Sequence, residues 1–409
     1  MKRIFFLIVI ISLTIKLSAQ MVIIGELRPR TEFRDGYRTL RSEETEPAFF
    51  ISQRSRINFS YSSDLYAAFI SVQDVRVWGD EKYNTDTPAL AVHEAWVKFK
   101  ILEGLTAKIG RQCIGYDNNW ILGKANWNQS SKKHDAIMLS YNNKSWSIDF
   151  TNAFNQASEN VSGTDYSQNS NYKYLSYLWA TRKTEKFSVS AFGLADGYQY
   201  AHDTVYTRLT YGIITRFSLS DISLSARYFQ QGGKLISGMD IFSYLMNVEA
   251  GYKVRKANII AGLEISSGAD SKISDAKSHV FETPYGAKHW VYGTMDYFKK
   301  TSDTKGTGLV DGYLKFSLKL NNKSSVLADY HWFSSHKNYF VKDVAMPKYL
   351  ASEIDMVYRH QVVKDMNLEC GYSILKGSTT LQTLKAGDAS KLNHWAYLML
   401  TFKPTFFKN

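Results

Sequence analysis

The sequence predicts an all-β fold, a transmembrane antiparallel up-and-down β-barrel of about 18 strands with short periplasmic turns and long extracellular loops. Three observations lead there. Segments of about ten residues alternate apolar and polar side chains with period two. Very short polar breaks alternate with longer polar stretches along the chain. Nearly every segment keeps its charges on one face.

Residues 1–20, MKRIFFLIVIISLTIKLSAQ, begin with basic Lys2 and Arg3, run apolar from Ile4 to Ile15 and reach the small Ala19 before Gln20. This layout predicts an export signal over 1–19, leaving 20–409 as one barrel domain. The run is interrupted by Lys16 and is too short for a membrane-spanning helix of about 20 residues. With 44% apolar and 14% aromatic residues among 409, a disordered chain is excluded. The net charge is +12, or +9 without Lys2, Arg3 and Lys16. On an exported chain this excess speaks against nucleic acid and for a membrane surface or anionic solutes. Cys113 and Cys370 lie far apart with no CxxC pair, which argues against a structural zinc site or a disulfide framework.

The short breaks fall at 62–64, 102–104, 142–144, 183–185, 219–221, 254–256, 321–323 and 363–365, each suited to a tight hairpin. The longer stretches lie near 35–49, 79–89, 113–133, 154–171, 196–203, 232–239, 266–305, 336–348 and 376–391. Eight turns and nine loops connect 18 strands. In the first strand Glu26, Arg28, Arg30, Glu32 and Arg34 share a face opposite Leu27, Pro29, Thr31 and Phe33. An Arg facing lipid at mid-depth costs about 2–4 kcal/mol, so the charged face is expected to line a wet lumen. Tyr61, Trp78, Trp146, Trp179, Trp332, Trp395, Phe406 and Phe407 are expected in the aromatic girdles.

By the same parity Arg28, Arg30, Arg34, Arg54, Arg56, Arg76, Lys98, Arg208, Arg216, Arg227 and Arg359 project inward. Over 65–78 the alternation puts Ser71 and Gln73 opposite Asp74 and Arg76, so Arg76 faces the lumen only if a bulge intervenes. Arg carries a permanent charge and a planar fork that matches a carboxylate, and rings of such residues select anions.

Residues 22–141 carry a resemblance. LRPRTEFR (27–34), QRSRINFSY (53–61), QDVRVWGD (73–80), VHEAWVKF (92–99), KIGRQ (108–112) and the stretch from Tyr116-Asp117 through Trp127 to His134-Asp135-Ala136 resemble the alginate-export family of outer-membrane barrels. The resemblance implies an 18-stranded monomer whose electropositive constriction passes an anionic polysaccharide outward. It implies that Arg54, Arg56, Arg76, Glu94 and Arg111 line or brace the path. The partners this implies are outer-membrane lipid, an anionic sugar or polysaccharide and, for an exporter, a periplasmic export complex.

No Walker loop, GxGxxG, HExxH or GxSxG occurs, so neither an enzyme nor a cofactor is expected. His331, His336, His360 and His394 lack metal spacing. Stretch 266–305, with Trp290 and several Tyr, is expected either to fold into the mouth or to bind a ligand outside. Two functions follow: a passive channel for anionic solutes, and a non-conducting surface-binding barrel acting through its loops.

Overall fold

The computed structural model describes residues 19–84, 89–166, 171–201, 204–273, 275–289 and 291–409. The export signal, apart from Ala19, and Trp290 lie outside the described residues. The first strands are Gln20–Asp35 (β1), Ala48–Ser62 (β2), Tyr66–Val77 (β3), Ala91–Leu102 (β4), Leu105–Gln112 (β5) and His134–Asn142 (β6). Then come Trp146–Phe154 (β7), Tyr174–Lys183 (β8), Phe187–Ala201 (β9), Thr204–Leu219 (β10), Ile222–Gly233 (β11) and Ser243–Val254 (β12). The last are Ala257–Ser266 (β13), Leu309–Lys319 (β14), Ser324–Ser335 (β15), Tyr349–Val363 (β16), Met366–Gly377 (β17) and Leu392–Phe402 (β18).

Each strand pairs antiparallel with its sequence neighbours, and β18 pairs with β1 to close the cylinder, Leu27 opposite Phe402 and Asp35 opposite His394. Beyond Lys403-Pro404 the chain resumes as Thr405–Lys408, still on β1. Closure leaves no unpaired edge, which a backbone in lipid requires. All eight predicted short breaks are the tight turns. One predicted loop, 196–203, is corrected: over 196–201 the chain stays extended, β9 running to Ala201 and β10 starting at Thr204. Polar Asp196 and Gln199 read as loop from sequence, but both are buried inside the barrel.

The outward positions are apolar and exposed, as at Leu27, Ile57, Ile137, Leu178, Ile213 and Val248. In a bilayer this belt is solvated by acyl chains. Trp78, Trp146, Trp332, Phe406 and Phe407 are exposed, as girdle residues should be. Trp179 and Trp395 are not: both are buried on inward faces, 5% and 0% exposed. Tyr397 crosses Gly371, its partner on β17, so closely that a Cβ there would meet the ring at 1.9 Å.

The interior differs from an evenly charged lumen. Charges gather on β1, β2, β10 and β11 as Arg and on β13 to β16 as Glu and Asp. Large apolar side chains also point inward, among them Leu175, Tyr177, Phe192, Phe229, Phe333 and Trp395. They pack against Trp120, Leu122, Met295, Tyr297 and Phe298 from two loops. A wide barrel cannot fill itself with wall side chains alone, and here inserted loops supply the missing volume.

Candidate functional site

Two loops enter the lumen. Segment 113–133 leaves β5 and crosses to β10–β11, where Asp117 receives Arg227 at 2.9 Å and also pairs with Arg216. It then returns along β1 and β2. There Arg28 donates to the carbonyls of Asn126, Trp127 and Asn128 and to Gln129 Oε1, at 2.8–3.4 Å. Arg30 donates to Trp127 O at 2.7 Å and to Glu32 at 2.8 Å. Arg54 joins Glu26 to Asn126 Oδ1 and Gln129 O.

The second loop, 267–308, spans the opening. Its Glu282 meets Arg208 at 2.7 Å, and Arg208 also holds Asp196 at 2.5 Å. At its far end Met295 N donates to Glu353 Oε1 at 2.8 Å, and Thr294 donates to Asp355 through its hydroxyl and its N–H. Gly293 sits at φ +72°, where a Cβ would lie 2.6 Å from the Glu353 carboxylate. Only glycine permits that approach.

The loops are tied to each other. Ala287 N donates to Asn119 O at 2.8 Å and Gly123 N to Tyr285 O at 3.0 Å. A Cβ on Gly286 would lie 2.2 Å from Trp120 O. At the centre Trp127 stacks on His289 at 4.3 Å, lies 4.0 Å below the Arg30 guanidinium and meets Trp395 and Tyr397 edge-on. His289 Nδ1 contacts Asp296 Oδ1 at 2.8 Å. Burial lowers the pKa of the His289 imidazole against the pull of Asp296. Burial also works against the Asp296 carboxylate, but His289 and Lys299 together keep its pKa below the usual range.

A cavity of about 1180 Å³ remains beside this junction. Its lining runs from Lys300, Thr301 and Ser302 on the second loop, past Trp120 and Trp127, to Lys315, Arg359 and Glu369 on the wall. Eight of its lining residues are Lys or Arg and three are Glu. Lys132 donates to Pro284 O and Gly286 O at 2.8 and 2.7 Å, and Lys288 to Lys299 O at 2.7 Å. Burial together with Lys299 pushes Lys132 down to about 8, and burial with Lys132 does the same to Lys288.

Among the residues singled out from sequence, Arg28, Arg30, Arg54, Arg208, Arg216 and Arg227 face inward, and each gives at least one bond to an inserted loop. Arg54, Arg208 and Arg227 also hold the wall acids Glu26, Asp196 and Glu249. Arg34 pairs with Glu32 at 2.8 Å and lies over Tyr37 and Phe50. Arg56 holds Gln73. Glu94 accepts Cys113 N at 3.0 Å, and Lys98 sits inside, in register with Lys108. Arg359 pairs with Glu369 at 2.5 Å in the cavity wall.

Two placements are corrected. The β2–β3 register is unbroken from Ser52–Val77 to Ser62–Ala67. The bulge falls instead between β3 and β4, at Ser71/Val72. Arg76 is therefore opposite Gln53, on the outward face, with Asp74 at 2.7 Å and Glu81 at 3.3 Å. Arg111 is outward as well, opposite Ala95 and paired with Asp135 at 2.9 Å. Both stand near the loop ends of their strands, where a lipid-side Arg costs only about 0–1 kcal/mol. Neither lines the lumen.

Sequence parity missed Lys124, Lys132, Lys288, Lys299 and Lys300, because it follows strands and these are loop residues. The signal available was the apolar Trp120-Ile121-Leu122 and Tyr292-Gly293-Thr294-Met295 within polar loops, since a loop that stays in water has no use for them.

The family profile described as alginate export matches residues 20–385. Compared with curated protein sequences, the chain has no match. Among solved structures it is similar to OccK8 (OprE) of Pseudomonas aeruginosa, with TM-score 0.63 and 10% identity over 95% of this chain and 98% of that one. OccK10 (OpdN) of the same organism gives 0.64 and 10%, over 95% and 99%. OpdK of that organism, solved with vanillate, gives 0.59 and 11%, over 95% and 99%. At such identities the likeness is one of fold. From the profile match over most of its length and its closed 18-strand cylinder, the chain belongs to the alginate-export family and is a porin-like barrel of the bacterial outer membrane.

Proposed function

We propose that this barrel is a passive channel for anionic solutes, in the class of sugar acids or an alginate-like anionic polysaccharide. The observation that carries the reading is the lumenal cavity with eight Lys or Arg against three Glu. The inserted loops and the wall acids together occupy most wall Arg, so the positive surface offered to a solute comes mainly from Lys124, Lys132, Lys288, Lys299 and Lys300, with Arg28 beside them. Trp120 and Trp127 in the same lining offer flat faces to a sugar ring or an aromatic acid. Vanillate, the molecule solved with OpdK, is itself a carboxylate. Lys132 and Lys288 are bonded to carbonyl oxygens, so a carboxylate arriving there supplies the countercharge their burial lacks.

Liposome swelling with a panel of neutral, cationic and anionic sugars of matched size tests this. Uronates should enter faster than their neutral counterparts, and faster entry by the amino sugars would contradict the reading.

The pH dependence follows from the two lysines. Both are charged below about pH 8 and lose their protons above it. Uronate entry should therefore be full near neutral pH and fall as pH rises through about 8. Lys132→Gln with Lys288→Gln should have slower entry at neutral pH and a flat profile across that range.

A further inference from the structure

A second site, unrelated to solute passage, lies where the 113–133 loop leaves the wall. His93 and Glu94 start β4, and Cys113 follows the last residue of β5. A ring nitrogen, a carboxylate oxygen and the thiol sulfur of these three lie within 4.8 Å of one another. Cys113 Sγ is 3.5 Å from His93 Nε2 and 3.0 Å from Lys132 O. Glu94 Oε2 is already turned to this corner, accepting Cys113 N at 3.0 Å. His93 is 1% exposed, and its Nδ1 is buried with no hydrogen-bond partner among the described residues.

We propose that His93, Glu94 and Cys113 form a binding site for a divalent zinc-class ion. One imidazole, one carboxylate and one thiolate are the donor types zinc takes, at about 2.0–2.3 Å. Small side-chain rotations close the present separations to the roughly 3.3–3.8 Å that such bonds set between ligand atoms. The Lys132 carbonyl or a water supplies a fourth position. Thiolate and carboxylate together neutralise the 2+ charge, which matters because Arg56 and Lys133 add positive charge close by. The free thiol donates to the Lys132 carbonyl, so it carries its proton before metal arrives. Binding forms the S–Zn bond, breaks the S–H bond and releases one proton to solvent, with no change of oxidation state.

The consequence is local: the ion would pin the first residue of the inserted loop to β4. The nineteen residues between His93 and Cys113 hide the pair from any motif search, because a hairpin and a bulge bring them together.

The test uses the full chain, refolded in detergent with a reductant, and Zn²⁺ alone as probe. Wild type should retain one equivalent after desalting, and Co²⁺ in its place should give a thiolate charge-transfer band in the near ultraviolet. Cys113→Ser and His93→Gln should each weaken Zn²⁺ binding by at least about 10-fold, while Cys370→Ser should bind as wild type does. If either variant fails to fold, the Cys370→Ser protein answers alone: Zn²⁺ should slow maleimide labelling of Cys113. Absence of retained zinc in wild type, equal retention by Cys113→Ser, or unchanged labelling in zinc overturns the proposal.

Discussion

Replacing Trp127 with alanine is expected to widen the conducting path and give a several-fold larger single-channel conductance in planar bilayers. The indole lies at the point where both inserted loops meet the wall, in contact with Arg30, His289, Trp395 and Tyr397. Truncating a fully buried Trp costs about 3–5 kcal/mol, and half-buried Trp127 should lose somewhat less. In this barrel the cost falls on the seating of the loops, because the strand ladder does not depend on the indole. Heat stability of the cylinder should change little while its bore changes greatly. The outward Trp332→Ala serves as the control and should conduct as wild type does. An unaltered conductance in Trp127→Ala would show that the loops hold without this ring.

The second large effect concerns the anchor at the other end. Glu353 and Asp355 accept three hydrogen bonds from Thr294 and Met295. A typical intramolecular hydrogen bond contributes about 0.5–1.5 kcal/mol net, and more where the acceptor is ionised. Replacing both acids with alanine removes all three and leaves the turn at Gly293 without its partner. Even a net loss of about 2–4 kcal/mol raises the released population of the 267–308 loop by roughly 30- to 1000-fold. Trypsin should then cut folded barrels after Lys288, Lys299 or Lys300 at a correspondingly faster rate, whereas wild type should resist. Equal cleavage of the two proteins would mean that the loop is held by Arg208 and the contacts with 113–133 instead.

Strand count, turn positions and outward belt were legible in the sequence because each rests on a local rule. A tight turn needs its polar residues in place, and lipid tolerates few charges at mid-depth. Arg76 and Arg111 were misplaced for a reason internal to that rule. The penalty on a lipid-facing Arg fades toward the headgroups, and sequence alone does not fix how deep a strand-end residue lies. Trp179 and Trp395 show the reverse failure: a Trp near a strand end reads as girdle, yet these two face inward to receive the loops. Arg28, Arg54 and Arg227 were placed correctly on the inner face, but not their occupation. What a guanidinium binds depended on Asp117, Asn126 and Gln129, which long-range insertion brings to it. The cavity lysines were invisible for the same reason.

The central claim is that the lumen offers net positive charge to a solute, and zero-current potential across a planar bilayer under a potassium chloride gradient measures it directly. At neutral pH the sign should report chloride as the preferred ion. Preference should weaken but persist as salt rises, since screening over about 8 Å at physiological salt is comparable with the cavity's own reach. A potential of the opposite sign, with potassium preferred, would contradict the account.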